Sequence, residues 1–250
     1  MIRRIILYAN LAVIFILLLS CSDHHKPKVM TRESMKRTFM FSGFEWEAEG
    51  SGTGRISPGQ NYFSCSEENV RVDKRGNLHL KITNRNGNWY CAKVTMKKSY
   101  GYNKYLFQVA TRVDRLDKNV VGGLFTYLDD SNEIDIEFAR WGIDGNTNAQ
   151  FAVQPAHYDG NIYRYTLDLK SKKSTHVIDW KEDTIGFAGY RGYRSARPDP
   201  GKIICEWSYT GKDIPAEAEE VVMINLWLYN GLPPSDGREA EMVIRAVKIL

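Results

Sequence analysis

The chain has 250 residues, with 34 Lys and Arg against 30 Asp and Glu, which gives a formal net charge of +4. This excess is too small to indicate nucleic acid or another acidic polymer as a partner. It falls to +2 if the first twenty residues, which contain two arginines, are removed. The remaining length of about 230 residues fits one domain with a sizeable core.

The N-terminal segment is typical of an export signal. Arg3 and Arg4 precede a mostly apolar run from Ile5 to Leu19. As a helix this run would span about 22 Å, less than the roughly 30 Å hydrocarbon core, which disfavours a permanent membrane helix. The run ends in Leu18-Leu19-Ser20-Cys21, which resembles a bacterial lipobox and implies cleavage before Cys21 and lipidation of its thiol. Such a lipid would hold the protein on a membrane surface. The alternative is an unmodified or buried cysteine in an ordinary signal peptide.

We therefore predict a lipoprotein signal peptide over residues 1–20, a lipidated cysteine and flexible tether over residues 21–38, and one domain over residues 39–250. From Phe39 onward the sequence consists of short β-type runs separated by turns, without a helical period of useful length. The predicted strands are Phe44–Glu49, Asn69–Asp73, Leu78–Thr83, Tyr90–Met96, Tyr105–Val113, Val120–Leu128, Glu133–Arg140, Ala149–Gln154, Tyr163–Leu169, Thr175–Trp180, Thr184–Tyr190, Lys202–Tyr209, Val221–Tyr229 and Ala240–Leu250. Many short strands without helices predict an all-β domain of two packed antiparallel sheets.

Three cysteines follow Cys21, and three cannot all pair within one chain. Export permits disulfides. Cys65 follows a turn and Cys91 lies in an apolar stretch, so a bridge between them is one interpretation, with Cys205 a buried free thiol. The other is that two or three of these cysteines are reduced.

Carboxylates alternate with apolar residues from Glu133 to Phe138. On a β-strand, Glu133, Asp135 and Glu137 share one face while the apolar residues point into the core. Like charges on one face repel, so the stretch is either a solvated surface or a site that needs coupled carboxyl groups. The similar alternation from Glu45 to Glu49 is interpreted as a solvated strand face.

The acidic face of this strand suits glycosidic bond cleavage. The Cα atoms of Glu133 and Glu137 are expected about 13 Å apart. Side chains that lean toward Asp135 could bring the two carboxyl groups to about 5 to 5.5 Å, the spacing of a retaining glycosidase. One carboxylate could then attack the anomeric carbon while the other, kept protonated by its anionic neighbours, protonates the leaving oxygen.

Aromatic residues close to this strand could line a sugar cleft, because sugar rings stack on aromatic planes while their hydroxyls need polar partners. Phe125 and Tyr127 share a face of the strand that leads into Glu133, and Trp141 follows it. Asn225 and Trp227 share a face of a later strand. Each of these residues, considered alone, would be assigned to the core. Their placement around the acidic strand makes them candidate substrate contacts.

Taken together, these residues resemble glycoside hydrolase family 16, the β-jelly-roll endo-glycanases that include lichenases and laminarinases. The resemblance is collinear over about residues 60–250. Its motifs are Ser99-Tyr100-Gly101-Tyr102, Tyr105, Val121, Leu124-Phe125-Thr126-Tyr127, Asn132 to Phe138, Ala149-Gln150-Phe151, Asp179-Trp180 and Ile224-Asn225-Leu226-Trp227. It implies a concanavalin A-like β-sandwich jelly roll of two antiparallel sheets with a concave substrate cleft.

The resemblance also implies roles for individual residues. Glu133 would be the nucleophile, Asp135 would orient and tune it, and Glu137 would be the general acid and then the base. The residues that match substrate contacts in the cleft are Gln150, Asn225 and Trp227. The resemblance favours a Cys65–Cys91 disulfide and implies no cofactor or catalytic metal. Family members often carry a structural calcium ion, whose ligands this sequence does not reveal.

Some residues depart from the lichenase pattern. Ser131 and Asn132 replace an aromatic and an acidic residue, Leu106 replaces a glutamate, and Lys93 replaces an acidic sugar contact. These departures leave the hydrolytic centre intact but weaken the case for mixed-linkage glucan as the substrate.

The expected function is an endo-acting retaining hydrolase of a β-linked polysaccharide, most simply a β-glucan. We expect a monomer, lipid-anchored in a bacterial cell envelope, either periplasmic or on the cell surface. The alternatives are a non-catalytic carbohydrate-binding jelly roll, a transglycosylase with the same active site, and, least favoured, a calcium-binding structural protein.

Overall fold

The structure is a computed structural model that describes residues 35–250. The predicted signal peptide, Cys21 and all but the last four residues of the predicted tether lie outside this part of the chain. Among residues 35–250, no helix has the length and apolar character needed to cross a membrane.

Sixteen β-strands make up the domain. Their bounds are β1 Lys36–Phe41, β2 Phe44–Glu49, β3 Tyr62–Phe63, β4 Val70–Val72, β5 Leu78–Arg85, β6 Asn88–Met96, β7 Lys104–Val109, β8 Val120–Asp129, β9 Asn132–Phe138, β10 Ala149–Val153, β11 Ile162–Tyr165, β12 Ser174–Trp180, β13 Ile185–Arg191, β14 Ile203–Tyr209, β15 Val221–Leu228 and β16 Ala240–Ile249. Three short 3-10 helices also occur, at Val113–Arg115, Pro200–Lys202 and Tyr229–Gly231. All fourteen predicted strands are present, whereas β1 and β3 were not predicted. The first strand begins at Lys36, three residues before the predicted start of the domain.

The strands form two layers of a jelly roll, as predicted. The first layer has the order β11-β10-β9-β8-β15-β6, and β2 and β1 extend it beside β6. The second layer has the order β5-β16-β7-β12-β13-β14, and β4 pairs with β5. Pairing of β5 with β6 joins the layers into one hydrogen-bonded sheet. All these pairs are antiparallel. Strand β3 forms a short parallel pair with β6.

Apolar side chains from both layers meet between them. Phe138 of β9 contacts the ring of His176 of β12 at a centroid distance of 4.8 Å, and Phe151 of β10 stacks on Phe187 of β13 at 5.0 Å. Ile134 and Ile136 of β9 are completely buried in the same core. Because side chains alternate along a strand, the three carboxylates of β9 project from the opposite, outer face of the first layer.

The other acidic triplet, on β2, forms an ion-paired surface. Glu45 is exposed, Glu47 lies 2.5 Å from Lys36, and Glu49 lies 2.6 Å from Lys93. The interpretation as a solvated strand face holds for Glu45, whereas Glu47 and Glu49 are partly buried members of ion pairs.

The predicted Cys65–Cys91 disulfide is not formed in the structure, where Cys91 is a buried, reduced thiol. Phe63, and not Cys65, is the residue that pairs with Cys91, and β3 ends at Phe63. Burial raises the pKa of Cys91 to about 12. Cys205 is also a reduced thiol, as predicted, but is only partly buried.

Candidate active site

The three carboxylates of β9 lie between the flanking strands β8 and β10. Glu137 is opposite Gly123 of β8 and Gln150 of β10, and Asp135 is opposite Phe125. Glu133 pairs with Tyr127 next to the hairpin that joins β8 to β9. The carboxylates therefore occupy the middle of the first layer rather than an edge.

A cavity of about 220 Å³ lies over this part of the sheet. Its lining residues are Ser57, Pro58, Lys93, Gly123, Phe125, Tyr127, Asp130, Glu133, Asp135, Glu137, Met223, Asn225 and Trp227. All three predicted catalytic residues are among them, together with four of the six predicted substrate contacts. The remaining two, Trp141 and Gln150, adjoin the site through hydrogen bonds described below.

Glu133 lies at the hairpin end of the site. Burial raises the pKa of its carboxyl to about 7, and the negative charges of Glu137 and Asp130 add to this rise. A hydrogen bond with Asp135 acts in the opposite direction, because it stabilises the ionised form of Glu133. At neutral pH the Glu133 carboxyl is therefore close to half ionised.

Asp135 is the most deeply buried of the three and is 3% exposed. Burial, followed by the charge of Glu133 and the hydrogen bond to it, holds the pKa of Asp135 well above its usual range. The Nε2 atom of Gln154 donates a hydrogen bond of 3.1 Å to Asp135 Oδ2. In its protonated form Asp135 can donate to the Glu133 carboxylate, which orients that carboxylate and stabilises its charge.

Glu137 has a different set of neighbours. Burial and the charge of Asp135 raise its pKa to about 8, although a hydrogen bond from Gln150 and the charge of Arg164 lower it. The Gln150 Nε2 atom donates to Glu137 Oε2 at 2.6 Å. The Gln150 Oε1 atom accepts from Arg164 Nη1 at 2.6 Å and from Trp141 Nε1 at 3.2 Å. These two donors fix the amide so that its NH₂ group faces Glu137.

The three groups together carry less negative charge at neutral pH than three free carboxylates would. Burial raises the pKa of all three, and the charge of each ionised group opposes the ionisation of a neighbour. Coupled carboxyl groups with raised pKa values are typical of sites where one group acts as a nucleophile and another as a general acid.

Aromatic side chains flank the carboxylates on two sides. The rings of Phe125 and Tyr127 meet edge to face at 6.4 Å, and the Tyr127 hydroxyl donates to Asp130 Oδ1 at 3.1 Å. On the other side Trp141 contacts Trp227 at 6.2 Å and Tyr229 at 5.6 Å. Both groups can offer ring faces or edges to a sugar.

Two buried oxygen atoms on the same face have no hydrogen-bond partner. They are Oδ1 of Asn225 on β15 and Oγ1 of Thr95 on β6. A Cβ atom at Gly123 would lie 2.5 Å from Asn225 Oδ1, so the glycine keeps the space beside this oxygen open. A buried polar atom without a partner costs about 1–3 kcal/mol. Asn225 lines the cavity, so a sugar hydroxyl could donate a hydrogen bond to its Oδ1 atom, whereas Thr95 is not among the lining residues.

Lys93 lines the same cavity from β6, directly opposite Asn225. Its amine lies 2.6 Å from the Glu49 carboxylate and 5.6 Å from the centroid of the Phe63 ring. The acidic contact that the lichenase pattern would place here is therefore replaced by a lysine–glutamate pair.

The residues that shape the site and that the sequence analysis missed include Gly123, Asp130, Gln154 and Arg164. Gln154 could have been found, because it follows Gln150 at strand period and so falls on the same face. Arg164 comes to the site only through the pairing of β11 with β10, which no local pattern reveals.

Among residues 35–250, no group of three or more His, Cys, Asp or Glu side chains is arranged to hold a metal ion.

No family model matches this sequence, and no curated protein is significantly similar to it. Solved structures do match. The chain superposes on a β-glucanase from Bacillus licheniformis with a TM-score of 0.60 and 19% identity, over 86% of this chain and 97% of that one. A prokaryotic β-1,3-1,4-glucanase (lichenase) from a mouse hindgut metagenome gives a TM-score of 0.59 and 20% identity, over 84% and 94% of the two chains. A glycosyl hydrolase family 16 protein from Mycobacterium smegmatis gives 0.59 and 15%, over 82% and 91%.

The chain has the family 16 jelly-roll fold. At these identities the likeness establishes the architecture, and the sites of this chain have to be argued from its own residues.

Proposed function

We propose that this protein is an endo-acting, retaining glycoside hydrolase that cleaves a β-linked polysaccharide, most simply a β-glucan. The observation that carries the proposal is the trio of carboxyl groups on one face of β9, which lines a cavity together with aromatic side chains and in which burial raises the pKa of every member. The fold adds support, because proteins with this architecture include enzymes described as β-glucanases.

In the first step, a carboxylate oxygen of Glu133 attacks the anomeric carbon of the sugar. The glycosidic C–O bond breaks, its electron pair passes to the leaving oxygen, and the proton of Glu137 moves to that oxygen. Burial supports this assignment, since it keeps the pKa of Glu137 near 8 and the group protonated at neutral pH. The product is a glycosyl ester on Glu133.

In the second step, water attacks the anomeric carbon of this ester. The Glu137 carboxylate, which has lost its proton, takes one from the water as the bond to Glu133 breaks. Two inversions at the same carbon retain the configuration. Asp135 is a positioning residue in both steps, because its hydrogen bond orients the Glu133 carboxylate and compensates its charge.

Substrate binding would use the aromatic side chains and the polar atoms without partners. In this proposal Trp141 and Trp227 on one side and Phe125 and Tyr127 on the other would contact sugar rings. Asn225 Oδ1 would accept a hydrogen bond from a sugar hydroxyl. Gln150 would contact the substrate from its position beside Glu137. No cofactor is part of this proposal.

The proposal includes the cellular setting predicted from the sequence. Cleavage before Cys21 and lipidation of its thiol would anchor a monomer in a bacterial cell envelope, in the periplasm or on the cell surface. Labelling with a radioactive fatty acid, compared with Cys21→Ala, tests the anchor.

The first test of the activity uses the purified full chain in mild detergent with β-1,3-, β-1,4- and mixed-linkage glucans, xyloglucan, agar and carrageenan. We expect new reducing ends and an early fall in viscosity on at least one β-glucan, and neither with Glu133→Ala. Azide should restore turnover to Glu133→Ala and give a glycosyl azide of inverted configuration, because azide replaces the missing nucleophile. Binding by wild type and variant without products on any polymer would contradict the hydrolase proposal and leave a carbohydrate-binding protein. Products longer than the starting chains would indicate a transglycosylase.

A further inference from the structure

A second cavity is larger than the one over the carboxylates. It has a volume of about 940 Å³ and lies on the second layer, over β7, β12, β13 and β14. Its floor includes Leu106, Val177 and Ala188, and Tyr190 stands at its side. These four residues form an apolar cluster separate from the main core.

The position of this cluster is unusual for a β-sandwich. Phe107 and Ile178, the sequence neighbours of Leu106 and Val177, point into the main core, so Leu106 and Val177 belong to the outer face of the second layer. Outer faces of antiparallel sheets are normally polar. We call this feature the outer groove.

Hydrogen-bonding groups line both sides of the outer groove. On one side Lys104 lies 2.9 Å from Asp179, and on the other the guanidinium of Arg197 donates two bonds of 2.9 Å to Glu206. Gly186 lies between the two sides, opposite Asp179 and Ser208 on its neighbouring strands. The absence of a side chain at this position leaves the middle of the floor open.

The charges around the outer groove balance. Three basic side chains, Lys104, Lys181 and Arg197, face three acidic ones, Asp179, Glu182 and Glu206. A balanced rim gives no net attraction to a polyanion or a polycation. An apolar floor between polar walls instead fits a neutral ligand that has C–H faces and hydroxyl edges, which describes a sugar chain.

We propose that the outer groove is a second saccharide-binding site, which takes a short stretch of a neutral polysaccharide. That the polymer is the substrate of the cleft rests on the function proposed above, whereas the binding itself does not. The two sites lie on opposite outer faces of the sandwich. Binding at the outer groove would therefore keep the enzyme on a polymer network while the cleft acts on another strand, with a gain in effective concentration.

The test fills the groove without altering the cleft. Gly186→Leu is the chosen variant, because a Cβ at Gly186 would meet only Asp179, at the ordinary contact distance of 3.4 Å. Gly201→Leu is the matched control, since Gly201 is exposed, does not line the groove and would have no atom within 4 Å of a new Cβ. Arg197→Ala with Glu206→Ala removes one wall through two partly exposed side chains.

Affinity electrophoresis of the full chain, with Glu133→Gln added to prevent hydrolysis, would use gels that contain neutral mixed-linkage glucan, laminarin or anionic carboxymethyl cellulose. We expect retardation by a neutral glucan that weakens about 10-fold with Gly186→Leu or the double variant and is unchanged with Gly201→Leu. Equal retardation of Gly186→Leu and Gly201→Leu, or no retardation by any neutral glucan, would overturn the proposal.

The outcome is separable from that of the proposed hydrolase. With Glu133 intact, Gly186→Leu should cleave a soluble oligosaccharide at the wild-type rate and lose activity only on long polymer. If the protein hydrolyses no polymer, but its retardation by a neutral glucan is lost in Gly186→Leu, the proposed hydrolase is contradicted and the outer groove is supported as a binding site. If the protein hydrolyses a glucan normally, but Gly186→Leu is retarded as strongly as wild type, the hydrolase is supported and the binding site is contradicted.

Discussion

Removal of the amide that faces Glu137 should displace one limb of the pH–rate profile. Gln150 Nε2 donates to Glu137 Oε2 at 2.6 Å, and this bond lowers the pKa of Glu137 against the larger effect of burial. In Gln150→Met the chain length is kept and the donor is lost. The ionised form of Glu137 then loses stabilisation, so its pKa must rise.

The magnitude follows from the type of bond. A hydrogen bond to a charged group contributes about 1.5–3 kcal/mol, which corresponds to about 1–2 pKa units. The pKa of Glu137 should therefore move from about 8 to roughly 9–10. If Glu137 is the general acid, activity falls as it deprotonates, so the alkaline limb of kcat/KM should move up by the same amount. The acidic limb of the profile reports the ionisation of Glu133, whose pKa is about 7, and should lie at the same pH in Gln150→Met as in wild type.

The assay is kcat/KM between pH 5 and 11 on an oligosaccharide with a natural sugar leaving group, because an activated leaving group would not need the acid. Trp141→Phe is the control: it removes the 3.2 Å bond to Gln150 Oε1 but leaves the bond from Nε2 to Glu137. Its alkaline limb should remain near that of wild type whatever happens to KM. An unmoved alkaline limb in Gln150→Met would refute the assignment of Glu137 as the acid.

Two further predictions concern stability. Burial raises the pKa of Glu137 from 4.5 to about 8 in the folded protein, so its contribution is fully present below pH 4.5 and is lost as the pH rises through 8. The full loss is about 5 kcal/mol. Urea unfolding should show that Glu137→Gln gains stability relative to wild type between pH 5 and 9, and an equal pH dependence of the unfolding free energy in both proteins would contradict this. Burial lowers the pKa of His176 to about 3, so stability is complete above pH 6.5 and declines on acidification. Between pH 7 and 4 wild type should lose about 3 kcal/mol more than His176→Phe, and an equal loss in both would show that the imidazole is not buried in its neutral form.

The acidic face of β9 could be predicted because side-chain alternation is a local property. Ile134 and Ile136 bury one face of the strand, and this alone directs the three carboxylates to the other. The same reasoning located fourteen strands. It missed β3, which has two residues, and β1, whose basic start was assigned to a tether although its pairing with β2 makes it part of the sheet.

Nonlocal contacts could not be predicted in the same way. Arg164 reaches Gln150 only because β11 pairs with β10, and Asn225 lies beside Gly123 only because β15 inserts between β8 and β6. Asn225 was found from its place on one face of a predicted strand and again through the family resemblance. The Cys65–Cys91 bridge was one interpretation of the cysteine positions, which the resemblance favoured, but Cys91 is a reduced thiol in the structure.

The protonation states of the two glutamates are set by position rather than by residue type. Glu133 lies beside the hairpin, near Asp130, and burial raises its pKa to about 7. Glu137 lies four residues further along β9, where burial outweighs both the hydrogen bond from Gln150 and the charge of Arg164 and raises its pKa to about 8. These two contacts limit the rise that burial causes, because each of them stabilises the ionised form of Glu137. The acid and base roles proposed for Glu137 therefore depend on a balance between burial, the Gln150 amide and the charge of Arg164.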